Sequence, residues 1–149
     1  MSIDKDAICN MLPHGETMCL LDKVESWDDK RIICLTRSHR LATNPLRNAQ
    51  GLPMIALLEY GAQAMAIHGC LLMQKTGTKM QEGYLAALRD VKLSEGYLSD
   101  IDEDLVVEAE QVYKDGGNMI YNLSVKAGVR ELANGRATAV GKLNQEADK

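Results

Sequence analysis

Residues 55–73 read IALLEYGAQAMAIHGCLLM, and this stretch decides the fold. It is rich in Ala, Leu and Met, which favour helix. Its few polar side chains, apart from one cysteine, are Glu59, Tyr60, Gln63 and His68. A helix that is apolar nearly all round either lies at the centre of a domain or spans a membrane. Because Glu59, Gln63 and His68 would each be costly in lipid, we predict a buried central helix and no membrane span.

Strand patterns precede this helix. Residues 18–27 and 31–38 are predicted to form a hairpin around the turn residues 28–30. A short amphipathic helix is predicted over residues 3–12, ended by Pro13 and Gly15. Residues 39–53 have no periodicity and are predicted to be irregular.

Four further strands are predicted after the helix, over residues 84–93, 105–113, 119–127 and 131–143. The sequence DGGN at 115–118 is a strong hairpin turn. The pairs at 127–128 and 134–135 are additional turn or bulge signals, the second of which would kink the last strand. The polar tail 144–149 is expected to fray.

This order predicts an α+β domain in which one antiparallel sheet wraps a long apolar helix. The chain has 149 residues, so a single domain over residues 1–149 accounts for all of it. The sheet surface that the helix does not cover invites a partner subunit, and we predict a homodimer, with a heteromer as the alternative.

Composition narrows the functional classes. Hydrophobic residues make up 46% and charged residues 26%, as in ordinary globular domains, which excludes a disordered or low-complexity chain. The net charge of −4 argues against a broadly basic nucleic-acid binder. Eight Met and no Phe predict a core of aliphatic and thioether side chains. The charged start lacks the apolar segment of a signal peptide, so a cytoplasmic location is expected.

The cysteines are Cys9, Cys19, Cys34 and Cys70. They form no CxxC pair and have no metal-ligand spacing with histidine, so no metal site is predicted. In a cytoplasmic protein we expect four reduced, mostly buried thiols.

Glu59 is the most informative residue for chemistry. A carboxylate near the start of an apolar helix must be paired, desolvated or functional. Burial would favour the protonated acid, as a general acid needs, whereas the helix N-terminus would favour the anion. Gln63 follows four residues later on the same face and is positioned to orient the carboxylate or a neighbouring loop. Gly61 indicates close approach of another element or of an acyl chain.

The helix start is a candidate substrate-binding element. Pro53 is a natural helix-start residue, and the N–H groups of Met54, Ile55 and Ala56 have no partner within the first turn. A thioester carbonyl placed there would have its developing oxyanion stabilised.

Two motifs carry a family resemblance. Leu12-Pro13-His14-Gly15, followed by MCLLDKV at 18–24, is similar to "LPHR-x-PFLLVDRV" of the β-hydroxyacyl-acyl-carrier-protein dehydratases. Pro53, with EYGAQA at 59–64, resembles that family's "MPG-x-x-x-x-E-A-x-AQA". The chain is most similar to a divergent branch, the predicted hotdog-family 3-hydroxyacyl-carrier-protein dehydratases of gene clusters for aryl-polyene and related lipid synthesis.

The resemblance implies the hotdog fold and a mechanism. A His removes the α-proton of a 3-hydroxyacyl thioester, and a helix carboxylate, here Glu59, protonates the departing hydroxyl. The His and the carboxylate come from different subunits, so the dimer is the catalytic unit. No cofactor is implied beyond the phosphopantetheine arm of the acyl carrier protein.

The catalytic His of the family has no counterpart at its usual place. The family has "GHFPG-x-P-x-MPG" before the helix, whereas residues 44–53 contain no His and Met54 replaces the last glycine. His39, just upstream, is the best candidate for the base. His68 lies on the opposite helix face from Glu59 and is predicted to be a buried structural residue. His14 matches the N-terminal motif, where the family's His supports the fold.

The carrier protein is acidic, so its docking site should be basic. Arg37, Arg40 and Arg47 are the candidates to form it. Two alternatives to the dehydratase remain open. One is a hotdog acyl thioesterase in which Glu59 activates water, and the other is a non-catalytic acyl-binding subunit that supports an active dehydratase in a heteromer.

Overall fold

The computed structural model describes residues 3–12, 18–77 and 79–144. In chain order, the helices and strands of this part of the chain are α1 (Lys5–Met11), β1 (Lys23–Trp27), β2 (Arg31–Thr36), α2 (Leu57–Thr76), β3 (Lys79–Leu93), β4 (Leu105–Asp115), β5 (Asn118–Ala127) and β6 (Arg130–Asn144). Short 3-10 turns occupy Ser38–Arg40, Met54–Ala56 and Leu98–Asp100. The predicted order of one central helix between two and four strands is confirmed.

The six strands form one antiparallel sheet in the order β1-β2-β4-β5-β6-β3. Alternate residues face α2, as the strand period of two requires. In β5 these buried residues are Met119, Tyr121, Leu123, Val125 and Ala127. The sheet thus wraps one face around the helix, which is the arrangement predicted from the apolar character of residues 55–73.

Helix α2 continues directly from the 3-10 turn and ends at Gly77, whose φ of 75° is left-handed. Residues 54–76 are long and apolar enough to cross a membrane by length and composition, but most of their side chains are buried in the protein. That burial is the property of a core helix. The core contains no Phe and instead combines aliphatic side chains with Met and two fully buried tyrosines, as predicted.

Gly61 brings α2 close to the sheet. A Cβ built at this position would lie 2.9 Å from Cδ1 of Leu123 on β5, which is closer than real Cβ contacts. The expectation that Gly61 admits another element is therefore confirmed, and the element is a core strand.

The predicted turns occur where the sequence places them. Asp28 closes the β1–β2 turn by accepting hydrogen bonds from the N–H groups of Lys30 and Arg31. These bonds, made to the charged form, hold the pKa of Asp28 below its usual value. At 134–135 the strand does not break: the extra residue lies in the facing strand β3, between Arg89 and Lys92. Gly135 accommodates it, since an added Cβ there would meet Val91 at 3.1 Å.

Some boundaries differ from the prediction. β1 begins at Lys23 rather than at residue 18, because the N–H of Leu20 bonds to the Gln63 side chain and not to a strand. β3 begins at Lys79, before the predicted residue 84. The predicted helix end at Pro13 and Gly15, and the tail beyond Asn144, lie outside the described residues.

The expectation of four free thiols is wrong for one pair. Cys9, near the end of α1, and Cys19 form a disulfide with their Cα atoms 5.5 Å apart. Spacing rules could not show this, because the pair comes together only when α1 folds back beside α2. Cys34 is free and buried, and Cys70 is free and half-buried.

Candidate active site

Glu59 lies in the first turn of α2, on the side of this helix that is least covered by the rest of the chain. Its side chain is half-buried. Along the same side, Ala62 and Cys70 are also half-buried and Ala66 is exposed. The carboxylate therefore sits on an apolar surface that remains open to a substrate or to another subunit.

Gln63 fixes the orientation of this carboxylate. Its Nε2 donates hydrogen bonds to Oε2 of Glu59 (2.9 Å) and to the carbonyl oxygen of Met18 (2.7 Å). Its Oε1 accepts one from the N–H of Leu20 (2.9 Å). These partners determine which end of the amide is nitrogen. Within the described part of the chain Oε1 of Glu59 has no hydrogen-bond partner, so this oxygen can bond to a bound molecule.

Leu20 is the point at which three elements meet. Its N–H bonds to Gln63 on α2, and its carbonyl oxygen lies 2.6 Å from the hydroxyl oxygens of both Thr36 and Ser38. All of these polar groups are buried, so these hydrogen bonds take the place of the bonds to water that the groups lose on folding. The segment that holds Gln63 is thereby held in turn by the end of β2.

Tyr60 extends this network on the residue next to Glu59. Its hydroxyl lies 2.8 Å from Oγ of Ser38 and accepts a hydrogen bond from Asn44 at 3.0 Å. Burial raises the pKa of Tyr60, which keeps the phenol protonated. This network is not predictable from the sequence, because its partners stand 16 and 22 positions apart along the chain. A Tyr beside the candidate acid and an Asn in an irregular loop were its only signals.

The start of the helix keeps part of the predicted oxyanion site. Pro53 has an extended conformation, and its carbonyl oxygen accepts the first hydrogen bond of the turn, from the N–H of Ala56 (3.0 Å). Ala56 is thus engaged within the turn, contrary to expectation. The N–H groups of Met54 and Ile55 precede that bond and stay outside the helical ladder. The Ile55 side chain is 61% exposed, so this end of the helix is accessible.

His39, the candidate base, lies in the 3-10 turn after β2 and is fully buried. Its Nε2 lies 3.0 Å from the carbonyl oxygen of Ile101, which makes Nε2 the protonated nitrogen. Nδ1 is buried without a partner among the described residues. Burial lowers the pKa of His39 and favours the neutral ring. The structure brings His39 into no contact with Glu59, and its role as base stays a prediction.

His68 is buried and satisfied at both nitrogens. Nε2 lies 2.7 Å from the carbonyl oxygen of Asp28, and Nδ1 lies 2.6 Å from the hydroxyl of Tyr121. Burial lowers the pKa of His68 and raises that of Tyr121 to about 12. The ring serves as a structural link, as its helix face predicted. His14 lies outside the described residues.

The three candidate docking arginines occupy one loop region but turn to different partners. Arg37 lies 3.8 Å from the Asp104 carboxylate, and Arg40 donates to the carbonyl oxygen of Asp102. Arg47 donates to the carbonyl oxygen of Leu41 and is half-buried. The acidic loop beside them offsets part of their charge, so the basic surface is smaller than the sequence suggested.

Cavities are distributed unexpectedly. Between the start of α2 and strands β5 and β6 there is only about 10 Å³ of space, bounded by side chains such as Leu58 and Leu123. A depression of about 930 Å³ that is open to solvent lies at the other end of α2, beside Trp27 and Lys75. It does not include Glu59. Within residues 3–12, 18–77 and 79–144, no three His, Cys, Asp or Glu side chains converge in a way that suits a metal ion.

The fold and the helix carboxylate together define a hotdog-fold protein, a class that includes dehydratases and thioesterases. Residues 6–147 match the family of ApeP-like dehydratases, described as ApeP dehydratase. The chain belongs to this family, which makes it a protein of the dehydratase kind. A comparison with curated protein sequences finds no match.

Solved structures agree on the fold. The dehydratase heterocomplex ApeI:P from Xenorhabdus doucetiae matches with a TM-score of 0.79 and 19% identity, over 94% of this chain and 92% of that chain. A mutant thioesterase from Pseudomonas aeruginosa matches with a TM-score of 0.64 and 10% identity, over 88% and 86%. A hypothetical thioesterase from Streptococcus pneumoniae, solved with coenzyme A, matches with a TM-score of 0.59 and 14% identity, over 83% and 87%. At these identities the likeness shows the fold alone.

Proposed function

We propose that this protein takes part in the dehydration of a 3-hydroxyacyl thioester, carried on an acyl carrier protein, to the trans-2-enoyl thioester. Glu59 is the general acid. The observation that carries the proposal is the half-buried Glu59 carboxylate, with Oε2 held by Gln63 and Oε1 free, in a chain of the dehydratase family. The reaction is a β-elimination: a base takes the α-proton, and the C3–oxygen bond breaks as Glu59 delivers its proton to the departing hydroxyl. Water is the only by-product, and no redox cofactor is needed.

The N–H of Ile55 is proposed to receive the thioester carbonyl. Negative charge develops on that oxygen when the α-proton leaves, and fixed N–H donors stabilise it. Pro53 supports this role by placing the first hydrogen bond of the turn at Ala56, which leaves the Ile55 N–H available. The Met54 N–H is engaged by the antiparallel bridge between Pro53 and Tyr97, because proline has no N–H of its own to form that bridge.

We propose that the base comes from a second subunit. His39 and His68 are fully buried, and each has at least one ring nitrogen bonded within the protein. A general base must come within hydrogen-bond reach of the proton that it removes, and neither ring is accessible in this chain. His39 remains the candidate from the same chain, and its use would require the turn at Ser38–Arg40 to open.

The exposed surfaces also support the proposal of a partner subunit. β3 is a long strand at the edge of the sheet, and such an edge normally pairs or is covered. The least covered side of α2 carries Glu59 next to small apolar side chains. We propose that a related dehydratase subunit covers both surfaces, as the heterocomplex architecture of the ApeI:P structure suggests, and that a homodimer is the alternative.

The proposal is tested by mass spectrometry of carrier-bound substrates. The protein is incubated alone, and together with a related dehydratase subunit, with 3-hydroxyacyl and saturated acyl thioesters of an acyl carrier protein. We expect loss of one water from the 3-hydroxyacyl substrate only when both subunits are present. Release of free acid would instead identify the thioesterase, and acyl binding without conversion in either mixture would identify the accessory subunit.

The base is tested in the same assay. His39→Ala in this chain should leave dehydration within about threefold of the wild-type rate if the partner supplies the base, because general base catalysis contributes about 10²–10⁴-fold. A loss of that larger size, in a variant that still folds, would assign the base to His39.

Docking of the acidic carrier is proposed to use Arg37, Arg40 and Arg47. The double variant Arg40→Glu/Arg47→Glu should lower kcat/KM for carrier-bound substrate and leave it unchanged for the same acyl group on coenzyme A. Lys114→Glu, at the far end of β4, is the matched charge control. Equal losses on both substrates would contradict a docking role.

A further inference from the structure

The disulfide between Cys9 and Cys19 is connected to Glu59 through a short chain of contacts. Cys19 stands between Met18 and Leu20, and Gln63 bonds to both of these neighbours. The same Gln63 amide holds Oε2 of Glu59. Any movement of the 18–20 segment therefore reaches the proposed acid through a single side chain.

The other end of the disulfide is anchored on α1. This helix has seven residues and is held by the Asp4 N-cap, an Ile3–Val24 bridge, a Lys5–Asp22 ion pair and burial of Ile8 and Cys9. A helix this short has little stability of its own and depends on its tertiary contacts. The disulfide adds a side-chain covalent link between α1 and the 18–20 segment, besides the main chain that joins them.

We propose that Cys9 and Cys19 form a redox-responsive tether that sets the position of the 18–20 segment and, through Gln63, the orientation of Glu59. The two cysteines act as positioning residues and do not touch the substrate. In the oxidised state the segment is held on both sides, by Gln63 and by α1. In the reduced state only the hydrogen bonds remain. This inference rests on the proposed function for its effect on catalysis, but not for its effect on structure.

The redox step is an ordinary thiol–disulfide exchange. A thiolate of a dithiol such as dithiothreitol attacks the sulfur of Cys19, the sulfur–sulfur bond breaks, and Cys9 leaves as a thiolate. The second thiol of the reductant then displaces Cys19, and the reductant ends as a cyclic disulfide. Two electrons pass to the pair and each sulfur takes up a proton. Glutathione disulfide reverses the reaction and is reduced to two glutathiones.

The pair differs from the other cysteines of the chain. Burial raises the pKa of Cys34 to about 12 and also raises that of Cys70, so both thiols are poor nucleophiles. Cys19 retains 7% exposure and Cys9 only 1%, so a reductant meets Cys19 first when α1 opens locally. Cys70 is a free thiol on α2, nearly four helical turns after Leu57. It therefore serves as the control cysteine.

The experiment compares the full-length protein after equilibration with dithiothreitol or with glutathione disulfide. Loss of two hydrogen masses in the intact chain identifies the oxidised form. Hydrogen exchange at the Leu20 N–H should be at least tenfold faster in the reduced form. In the dehydration assay the oxidised form should have a kcat about tenfold higher with little change in KM, because small misplacements of catalytic groups are costly. Cys9→Ser/Cys19→Ser should match the reduced form under both conditions, and Cys70→Ser should keep the wild-type redox difference in Leu20 exchange.

Equal Leu20 exchange in the two redox states would overturn the tether, as would a redox response that persists in Cys9→Ser/Cys19→Ser. Absence of dehydration in both states, with the related dehydratase subunit present, would count against the proposed function. In that case the Leu20 exchange alone decides the tether. A redox-dependent kcat with unchanged Leu20 exchange would place the response elsewhere and contradict the inference.

Discussion

Helix α2 carries two polar clusters that differ in one respect. Near its start, Glu59 and Gln63 bond to the 18–20 segment, and one carboxylate oxygen is left without a partner in the described chain. Farther along, His68 bonds to Tyr121 and to Asp28, and both ring nitrogens are used. The first cluster is half-buried at its carboxylate, whereas the second is fully buried.

This difference separates a site from a structural link. A buried polar group whose donors and acceptors are all matched contributes to folding and has nothing left to offer a substrate. In the Glu59 cluster, the hydrogen bonds of Gln63 hold the carboxylate in place, while Oε1 of Glu59 has no partner among the described residues. Sequence position alone does not make this distinction, because both clusters consist of polar residues on the same apolar helix.

The largest expected effect is on catalysis, in a variant of Glu59. Glu59→Gln keeps the shape of the side chain and its contact with Gln63 but cannot donate the proton. Dehydration should fall by about 10²–10⁴-fold, the usual contribution of general acid catalysis. The free energy of unfolding, measured by urea denaturation, should change by less than about 0.5 kcal/mol. Glu95→Gln, an exposed loop carboxylate, is the control, and equal rates in the two variants would remove Glu59 from the mechanism.

A variant of His68 should have the opposite effect, lowering stability and leaving activity nearly unchanged. His68→Phe removes the partner of the Asp28 carbonyl and the acceptor of the Tyr121 hydroxyl, and it should lower the free energy of unfolding by about 1–3 kcal/mol. Activity per folded molecule should stay within about twofold of wild type. Urea denaturation and the dehydration assay, done below the unfolding transition, measure the two quantities. A large loss of kcat in His68→Phe at unchanged stability would instead give His68 a role in catalysis.

Acid should weaken the protein through its buried histidines. Burial holds the pKa values of His39 and His68 below 6.5, so the folded state favours their neutral forms. Their stabilisation is complete above pH 6.5, the unfolded value, and is lost as pH falls from there toward the folded values. Each contributes a slope of at most about 1.4 kcal/mol per pH unit in that window. Urea denaturation between pH 7.5 and pH 5.5 (about the range in which histidine titrates) should show this loss, with a shallower slope in His68→Phe. An identical slope in that variant would contradict the assignment.

The smallest effect concerns two glycines of the same helix. An added Cβ at Gly61 would meet Leu123 at 2.9 Å, whereas at Gly69 nothing lies within 4 Å in this chain. Gly69→Ala should therefore raise the free energy of unfolding by about 0.5–1 kcal/mol through helix propensity. In Gly61→Ala the steric clash with Leu123 should offset the gain in helix propensity. This variant should therefore be neutral or destabilising by about 1 kcal/mol. Stabilisation by both variants would mean that Leu123 moves aside freely.

The fold was accessible from sequence because its determinants are local. The apolar residues 55–73, the alternation in β5 and the turns at 28–30 and 115–118 each reflect a period or a turn rule that acts over a few positions. The hotdog arrangement and the position of Glu59 near the helix start followed from these and from the family motifs.

The contacts around Glu59 were less accessible because they join distant positions. The bond from Leu20 to Gln63 spans 43 residues, and the disulfide depends on the return of α1 beside α2. The orientation of the His39 ring was also not accessible from sequence. A His at the end of a strand reads the same in sequence whether its ring faces a substrate or, as here, a carbonyl oxygen inside the protein.

The irregular edge strand has a consequence for how the chain avoids unwanted association. Relative to β6, β3 gains an extra residue between Met80 and Glu82, again between Leu85 and Ala87, and again between Arg89 and Lys92. A regular strand from an unrelated molecule can stay in step only along stretches 82–85 and 87–89 before its N–H and carbonyl groups lose register. The irregular edge therefore disfavours pairing with a regular strand of another molecule and opposes growth into fibres.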